Sequence, residues 1–288
     1  MNQQSFMLQS ISRLFRDDND VLAAILIGSQ ARVDNIADEY SDIDVIIIVA
    51  NPEQYLLSDN WLKSIGDFHV SFIEPTLFGA KERRILFDDG TDVDFIILSK
   101  EQLQAIQDHE VDEIFARGYK IIKDKIGVSE SIANTKDSTK TLPTPPLSEE
   151  EFHNLTNDFW FHSVWTVKKI LRGELFTAKS CLDIYMKRLL LTLIETHSRL
   201  SGDMDIWYTG RFIEKWADKW IIEGLANAYS KYNRSDMINA LFSTMALFKT
   251  VAIYIAQKLS FQYPEDAEIH AYEIVNRLIQ NTSNESGG

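Results

Sequence analysis

Residues 21–27 read VLAAILI, an unbroken apolar run, and residues 43–49 repeat the pattern as IDVIIIV. Runs this short and this apolar are buried strands rather than helices. Two of them commit the first part of the chain to a sheet. Residues 68–74 (FHVSFIE) alternate as a half-buried strand does. In residues 84–98 (RILFDDGTDVDFIIL) two strand-like runs flank Asp89-Gly90, a hairpin signal. Residues 3–16 form an amphipathic pattern through Phe6, Leu8, Ile11, Leu14 and Phe15, and 101–107 read as helix.

The character changes after residue 127. Residues 128–149 are dominated by Ser, Thr, Asn and Lys, with Pro143, Pro145 and Pro146 near the end, the composition of a connection. Ser148 followed by Glu149, Glu150 and Glu151 is a helix start of capping-box type. Beyond it the period is helical, with helices expected at 149–172, 175–198, 209–228, 234–260 and 265–279; Gly173, Gly202 and Pro264 punctuate them. The predicted fold class is therefore α+β: an N-terminal mixed sheet flanked by helices, then a C-terminal all-α helical bundle. The expected division is 1–127 for the sheet domain, 128–148 for a linker, 149–280 for the helical domain and 281–288 (NTSNESGG) for a disordered tail.

Acidic residues number 43 against 29 basic, a net charge of −14. Such a field repels phosphate backbones and attracts small polycations, so no nucleic-acid partner is expected. Cys181 is the single cysteine, which excludes an intramolecular disulfide and a thiolate zinc site and fits a reducing compartment. Residues 1–13 carry no signal-peptide run, and no apolar stretch approaches the ~20 residues of a membrane span. A cytoplasmic monomer without a membrane partner is expected.

The chemistry concentrates between residues 28 and 94. Gly28-Ser29 closes the first strand, where backbone N–H groups can approach a phosphate, although such turns are commonly structural. Asp42 and Asp44 lie two apart at the start of the second strand and so share a face. Carboxylates that close repel unless a cation sits between them, and Mg²⁺ is the natural occupant. The plainer alternative is a solvated strand entrance. Asp94, with Asp92 on the same face of a later strand, supplies a third carboxylate if the strands are neighbours. Three converging carboxylates can hold two Mg²⁺ ions, the device of in-line nucleotidyl displacement.

Gly28-Ser29, Asp42-x-Asp44 and Asp94 together resemble the nucleotidyltransferase superfamily of polymerase-beta type. GSQAR (28–32), YSDIDV (40–45), LFDDGTDVDFIIL (86–98), NDFWFHSVWTVKKILR (157–172), ALFKT (246–250) and YPEDAE (263–268) resemble the aminoglycoside 6-adenylyltransferases, the streptomycin adenylyltransferases, over nearly the whole chain. The resemblance implies transfer of AMP from ATP to an aminoglycoside hydroxyl, with ATP as co-substrate and two Mg²⁺ ions. It implies metal ligation by Asp42, Asp44 and Asp94, a catalytic part for Asp94 and Asp158, and nucleotide contacts from Gly28, Ser29, Arg32, Lys187 and Arg188. Acceptor contacts are expected among Asp158, Trp160, Asp183 and Tyr185, with Trp165, Trp207 and Tyr208 as further aromatics. His162 and His197 read as ordinary helix residues. The chain departs from the pattern at Asp92, an extra acid, at Asp158, where Glu is expected, and at WYTGRF (207–212). These departures leave open another small alcohol or a protein hydroxyl as acceptor, and a nucleotide-binding regulator without turnover as another class.

Overall fold

The structure, a computed structural model, describes residues 3–32, 37–76, 79–107, 115, 117–136, 147–202, 206 and 209–285. The chain forms two compact units, residues 1–142 and 143–288.

The first unit is built on a six-stranded sheet of order β3-β4-β5-β2-β1-β6. Its strands are β1 (Val21–Ile27), β2 (Ile43–Val49), β3 (Phe68–Pro75), β4 (Lys81–Phe87), β5 (Asp92–Leu98) and β6 (Lys120–Asp124), with helices α1 (Gln3–Asp17), α2 (Pro52–Leu57), α3 (Lys100–Gln107) and α4 (Val128–Lys136). Only the β2–β5 pair is parallel among the paired strands. Alternation along β2 assigns its faces. Ile43, Val45, Ile47 and Val49 pack in one cluster with Met7, Ile11 and Phe15 of α1 and Tyr55 of α2. Ile46 and Ile48 join Ile25 and Ile27 of β1, Leu103 of α3 and Ile132 of α4 in a second cluster. Each fully buried Ile or Phe here contributes about 2 kcal/mol. Asp44 has the parity of Ile46 and Ile48 but is only half-buried, so the apolar cover thins at this end of the sheet.

Unit two is helical: α5 (Glu149–Leu171), α6 (Leu175–Ser180), a π-helical turn (Cys181–Tyr185), α7 (Met186–Ser201), α8 (Ile213–Trp216), α9 (Lys219–Ala228), α10 (Arg234–Leu259) and α11 (Glu265–Glu285). The capping box forms as expected: Glu151 N donates to Ser148 Oγ at 3.2 Å and Ser148 N donates to Glu151 Oε2 at 2.8 Å. The inner face of α5 buries Phe152, Phe159, Trp160, Val167 and Ile170. Phe159 stacks on Phe248 of α10 with ring centroids 3.6 Å apart. Helix α10 is long and apolar enough to cross a membrane by length and composition, contrary to the sequence expectation, and half of that stretch is buried inside the protein. It contributes Leu241, Met245, Phe248, Val251 and Ile255 to the core.

The α+β class is as predicted, and several boundaries differ. Helix α4 begins where a linker was expected, because Asp124 at the end of β6 accepts from the backbone N–H of Ile126, Val128 and Ser129, and Val128 and Ile132 pack into the core. The expected helix 209–228 is two helices, since Ala217 and Asp218 are extended, with ψ of 151° and 144°. Helix α11 runs to Glu285, into the expected tail, with Thr282 Oγ1 donating to Leu278 O at 3.0 Å.

Candidate active site

The antiparallel register of β1 and β2 pairs Ile27 with Asp44, so Gly28 leaves β1 beside Asp44. The parallel register of β2 and β5 pairs Asp44 with Asp94, and Asp42 lies two residues before Asp44 on the same face. Each of the three carboxylates offers one oxygen, and these atoms lie within 4.8 Å of one another. Asp94 is buried, and Asp42 and Asp44 are half-buried.

Gly28 has φ +67° and opens a short 3-10 turn, Gly28–Gln30. A Cβ at this position would fall 2.1 Å from Asp44 Oδ2, so only glycine leaves the carboxylate its place. Ser29 Oγ donates to Asp42 O over 3.5 Å, a weak contact that keeps the hydroxyl at the acidic end of β2. Lys120 Nζ donates to Gln30 O at 2.7 Å and ties this turn to β6. Arg32 follows half-buried, with Gly118 close against its backbone: a Cβ on Gly118 would meet Ala31 O at 2.8 Å.

A residue absent from the sequence expectations completes this face. Arg84 of β4 stands opposite Asp94 in the hairpin register. Its Nε donates to Asp94 Oδ1 at 2.9 Å and its Nη2 to Asp94 Oδ2 at 2.6 Å, a bidentate fork. Its Nη1 donates to Glu74 Oε1 of β3 at 2.8 Å, and Glu82 Oε1 lies 3.8 Å from its Nε. Burial pushes the Asp94 carboxyl up, opposed by the Arg84 guanidinium and reinforced by Asp42 and Asp92. Burial also pushes Glu82 up to about 7, aided by the hydrogen bond it shares with Glu74, while Glu74 is lowered by that bond and by Arg84. One guanidinium thus serves three carboxyl groups, and Glu82 holds a proton more readily than its neighbours.

An all-oxygen set of three carboxylates suits a hard cation such as Mg²⁺. Residues and chemistry therefore fit the metal that the sequence pattern implies.

In the helical unit, Asp158 of α5 has both oxygens engaged. His162 Nδ1 lies 2.6 Å from Oδ1, and Tyr185 OH donates to Oδ2 at 2.7 Å. The His162 and Tyr185 rings are 4.5 Å apart by centroid. The carboxylate raises the Tyr185 phenol. Tyr185 ends the π-helical turn, where the wider spacing re-aims side chains. Asp183 turns elsewhere: its Oδ2 accepts from Lys179 Nζ at 2.6 Å and Ser230 Oγ at 3.2 Å. Trp160 does not offer the face expected of an acceptor contact. It is 2% exposed and wedged edge-on against Phe159 and Phe248, because the helical period turns it inward with Phe152 and Phe159. Lys187 is buried as well, with Nζ donating to Leu182 O at 3.1 Å and to Thr244 Oγ1 at 2.8 Å, and burial lowers its pKa to about 8. Arg188 is exposed. Both line a cavity of about 600 Å³ with Ile184, Leu191 and Tyr229. Trp207 and Tyr208 lie outside the described residues.

The model of the streptomycin adenylyltransferase family matches residues 1–277. The chain belongs to this family. Membership makes it an enzyme of the nucleotidyltransferase class. An aminoglycoside 6-adenylyltransferase of Bacillus subtilis (strain 168) is 23% identical over 277 residues, covering 92% of this chain and 94% of that protein. One of Campylobacter jejuni is 24% identical over 288 residues, covering 95% and 96%. The crystal structure of an aminoglycoside 6-adenyltransferase from Bacillus subtilis aligns over 97% of this chain and 99% of its own at 18% identity, with a TM-score of 0.46.

Arg84, Glu82 and Glu74 were missed although a signal existed. A turn of three residues, 88–90, with Phe87 facing Thr91, brings Arg84 opposite Asp94 and Glu82 onto the same face, whereas counting outward from Asp89-Gly90 alone sets Ile85 there. His162 could have been found by its spacing of four from Asp158 on a helix.

Proposed function

We propose that the chain transfers AMP from Mg-ATP to a hydroxyl of an aminoglycoside, streptomycin foremost, with release of pyrophosphate. The observation that carries this reading is the meeting of Asp42, Asp44 and Asp94 within 4.8 Å, next to a glycine whose Cβ would collide with one of them. Family membership supports it, as do relatives named aminoglycoside 6-adenylyltransferase. Asp42 and Asp44 would hold two Mg²⁺ ions between them, and Asp94 one of the two. Bound there, the ions would neutralise phosphate charge and lower the pKa of an acceptor hydroxyl. Gly28 lets the backbone of the following turn come near the ATP phosphates, with the Ser29 hydroxyl and Arg32 as further donors. Asp94 also accepts the proton of the acceptor hydroxyl. On the helical unit, Asp158 and Tyr185 present a carboxylate and an aromatic face, the pairing that recognises an ammonium or guanidinium group. The chain's charge of −14 draws such a polycation in.

The test is pyrophosphate release with Mg²⁺, ATP and a panel of aminoglycosides and other small alcohols, with mass spectrometry for AMP on the acceptor. Streptomycin-dependent release, abolished in Asp44→Ala without loss of fold, is the expected result. Release with other acceptors alone would replace the substrate class. ATP binding without turnover on any panel member would remove the transferase reading.

A further inference from the structure

We propose that Arg84 is the resting occupant of Asp94: a built-in counter-ion that a divalent cation must displace before the third carboxylate can bind metal. The inference rests on the reading of Asp42, Asp44 and Asp94 as a metal site.

The geometry is specific. Both oxygens of Asp94 are taken by one guanidinium, at 2.9 Å and 2.6 Å. Asp94 is the most buried of the three acids, with 8% of its side chain exposed, so it most needs a partner charge. A bidentate fork takes one site on each oxygen and offsets the carboxylate's charge, so the guanidinium competes directly with a metal for Asp94. The same guanidinium is anchored on its far side by Glu74, at 2.8 Å, with Glu82 3.8 Å from its Nε. Those two acids lie on β3 and β4, away from Asp42 and Asp44, and form a second seat. Arg84 is 37% exposed at its side chain, so a short swing away from Asp94 meets water and Glu82 rather than packed core. The fork thus holds Asp94 in place and aimed at the acidic cluster while no metal is bound, and Glu74 keeps hold of the arginine once it lets go. Arg84 is a positioning residue in this scheme, acting through Asp94.

The test is Mn²⁺ binding to the full-length protein without nucleotide, read by electron paramagnetic resonance of free Mn²⁺. Wild type is compared with Arg84→Gln, Arg84→Lys and Lys81→Gln, the last removing an exposed charge from the same strand. Arg84→Gln should bind Mn²⁺ about tenfold or more tightly than wild type, since a close charge-assisted pair no longer competes. Lys81→Gln should change affinity by less than about threefold, as screened surface charges do. Arg84→Lys should fall between, because an ammonium keeps the charge and loses the fork. A second readout is the Arg84 Nε–H resonance, which should shift on saturation with Mg²⁺. Equal Mn²⁺ affinity in wild type and Arg84→Gln, or an Arg84 resonance unmoved by Mg²⁺, would overturn the role of Arg84 and leave the metal site standing. An affinity gain in Lys81→Gln equal to that in Arg84→Gln would reduce the effect to general field and overturn it too. No Mn²⁺ bound by any of the proteins would overturn both this inference and the function it rests on.

Discussion

Replacing Gly28 by alanine should separate catalysis from folding. Two effects act at this position, and they fall on different observables. The backbone has φ +67°, which a side chain with a Cβ adopts at a cost of about 1–2 kcal/mol. For a unit of this size that is a fall in melting temperature of about 3–8 °C. The second effect is steric. The new methyl would lie 2.1 Å from Asp44 Oδ2 and 3.0 Å from Asp44 Cγ. What must yield is the end of a half-buried side chain, so the fold survives and the carboxylate moves by an ångström or more. Misplacement on that scale costs roughly 10²-fold in rate. The assay is pyrophosphate release beside thermal melting followed by circular dichroism, with Gly127→Ala as control. Gly127 has φ +74° and nothing within 4 Å of an added Cβ, so it carries the backbone cost without the collision. Gly28→Ala should lose about two orders of magnitude in kcat/KM while Gly127→Ala loses almost none, at similar melting temperatures. Equal activity in the two variants would refute the steric argument. Global unfolding of Gly28→Ala alone would reassign the glycine to the scaffold.

Three further outcomes are expected. Trp160→Ala should destabilise the protein by about 3–5 kcal/mol in denaturant titration, since the indole is buried against Phe159 and Phe248; a loss under about 1 kcal/mol would return Trp160 to the ligand-binding surface. The Lys187 amine, lowered by burial from 10.5 to about 8, makes stability rise with pH. Between those values the unfolded chain keeps a proton that the folded chain has released. The stability gap between wild type and Lys187→Met should therefore move in favour of wild type by up to about 3 kcal/mol over that interval, and a gap independent of pH would contradict the burial. Tyr185→Phe removes the hydroxyl from Asp158 at an exposed position, so stability should change by less than about 0.5 kcal/mol while KM for the aminoglycoside shifts severalfold; an unchanged KM would take the pair out of acceptor recognition.

How far the sequence carries can be followed at particular residues. Asp42 and Asp44 were legible because strand alternation is a local property. Asp94 required knowing that β5 lies beside β2, a parallel pairing that joins residues fifty positions apart in register, Asp44 with Asp94, and leaves no local mark. The helices of the second unit were legible wherever the apolar period was long, as in α5 and α10. It failed at Ala217 and Asp218, where two extended residues break a pattern that remains apolar on both sides. Helix α4 was hidden because its sequence, VSESIANTK, has little helix signal of its own, and its start depends on Asp124 from the preceding strand. Trp160 faces inward because position on the helix, and not residue type, decides burial. The period of α5, with Phe152, Thr156, Phe159 and Ser163 all inward, already pointed the indole into the bundle.

The turn between β4 and β5 gives the last consequence. Phe87 N donates to Thr91 O and Gly90 N to Phe87 O, so residues 88–90 act as a spacer of fixed length. Surface loops usually absorb insertions at small cost. This one does not have that freedom, because adding or deleting a single residue would slide β4 by one step and turn over every side chain on it. Arg83, now holding Tyr55 O and Ser71 Oγ on the opposite face, or Ile85 from the core, would then stand across from Asp94. The hairpin's length is thereby a chemical specification, and changes to it should be tolerated only in pairs.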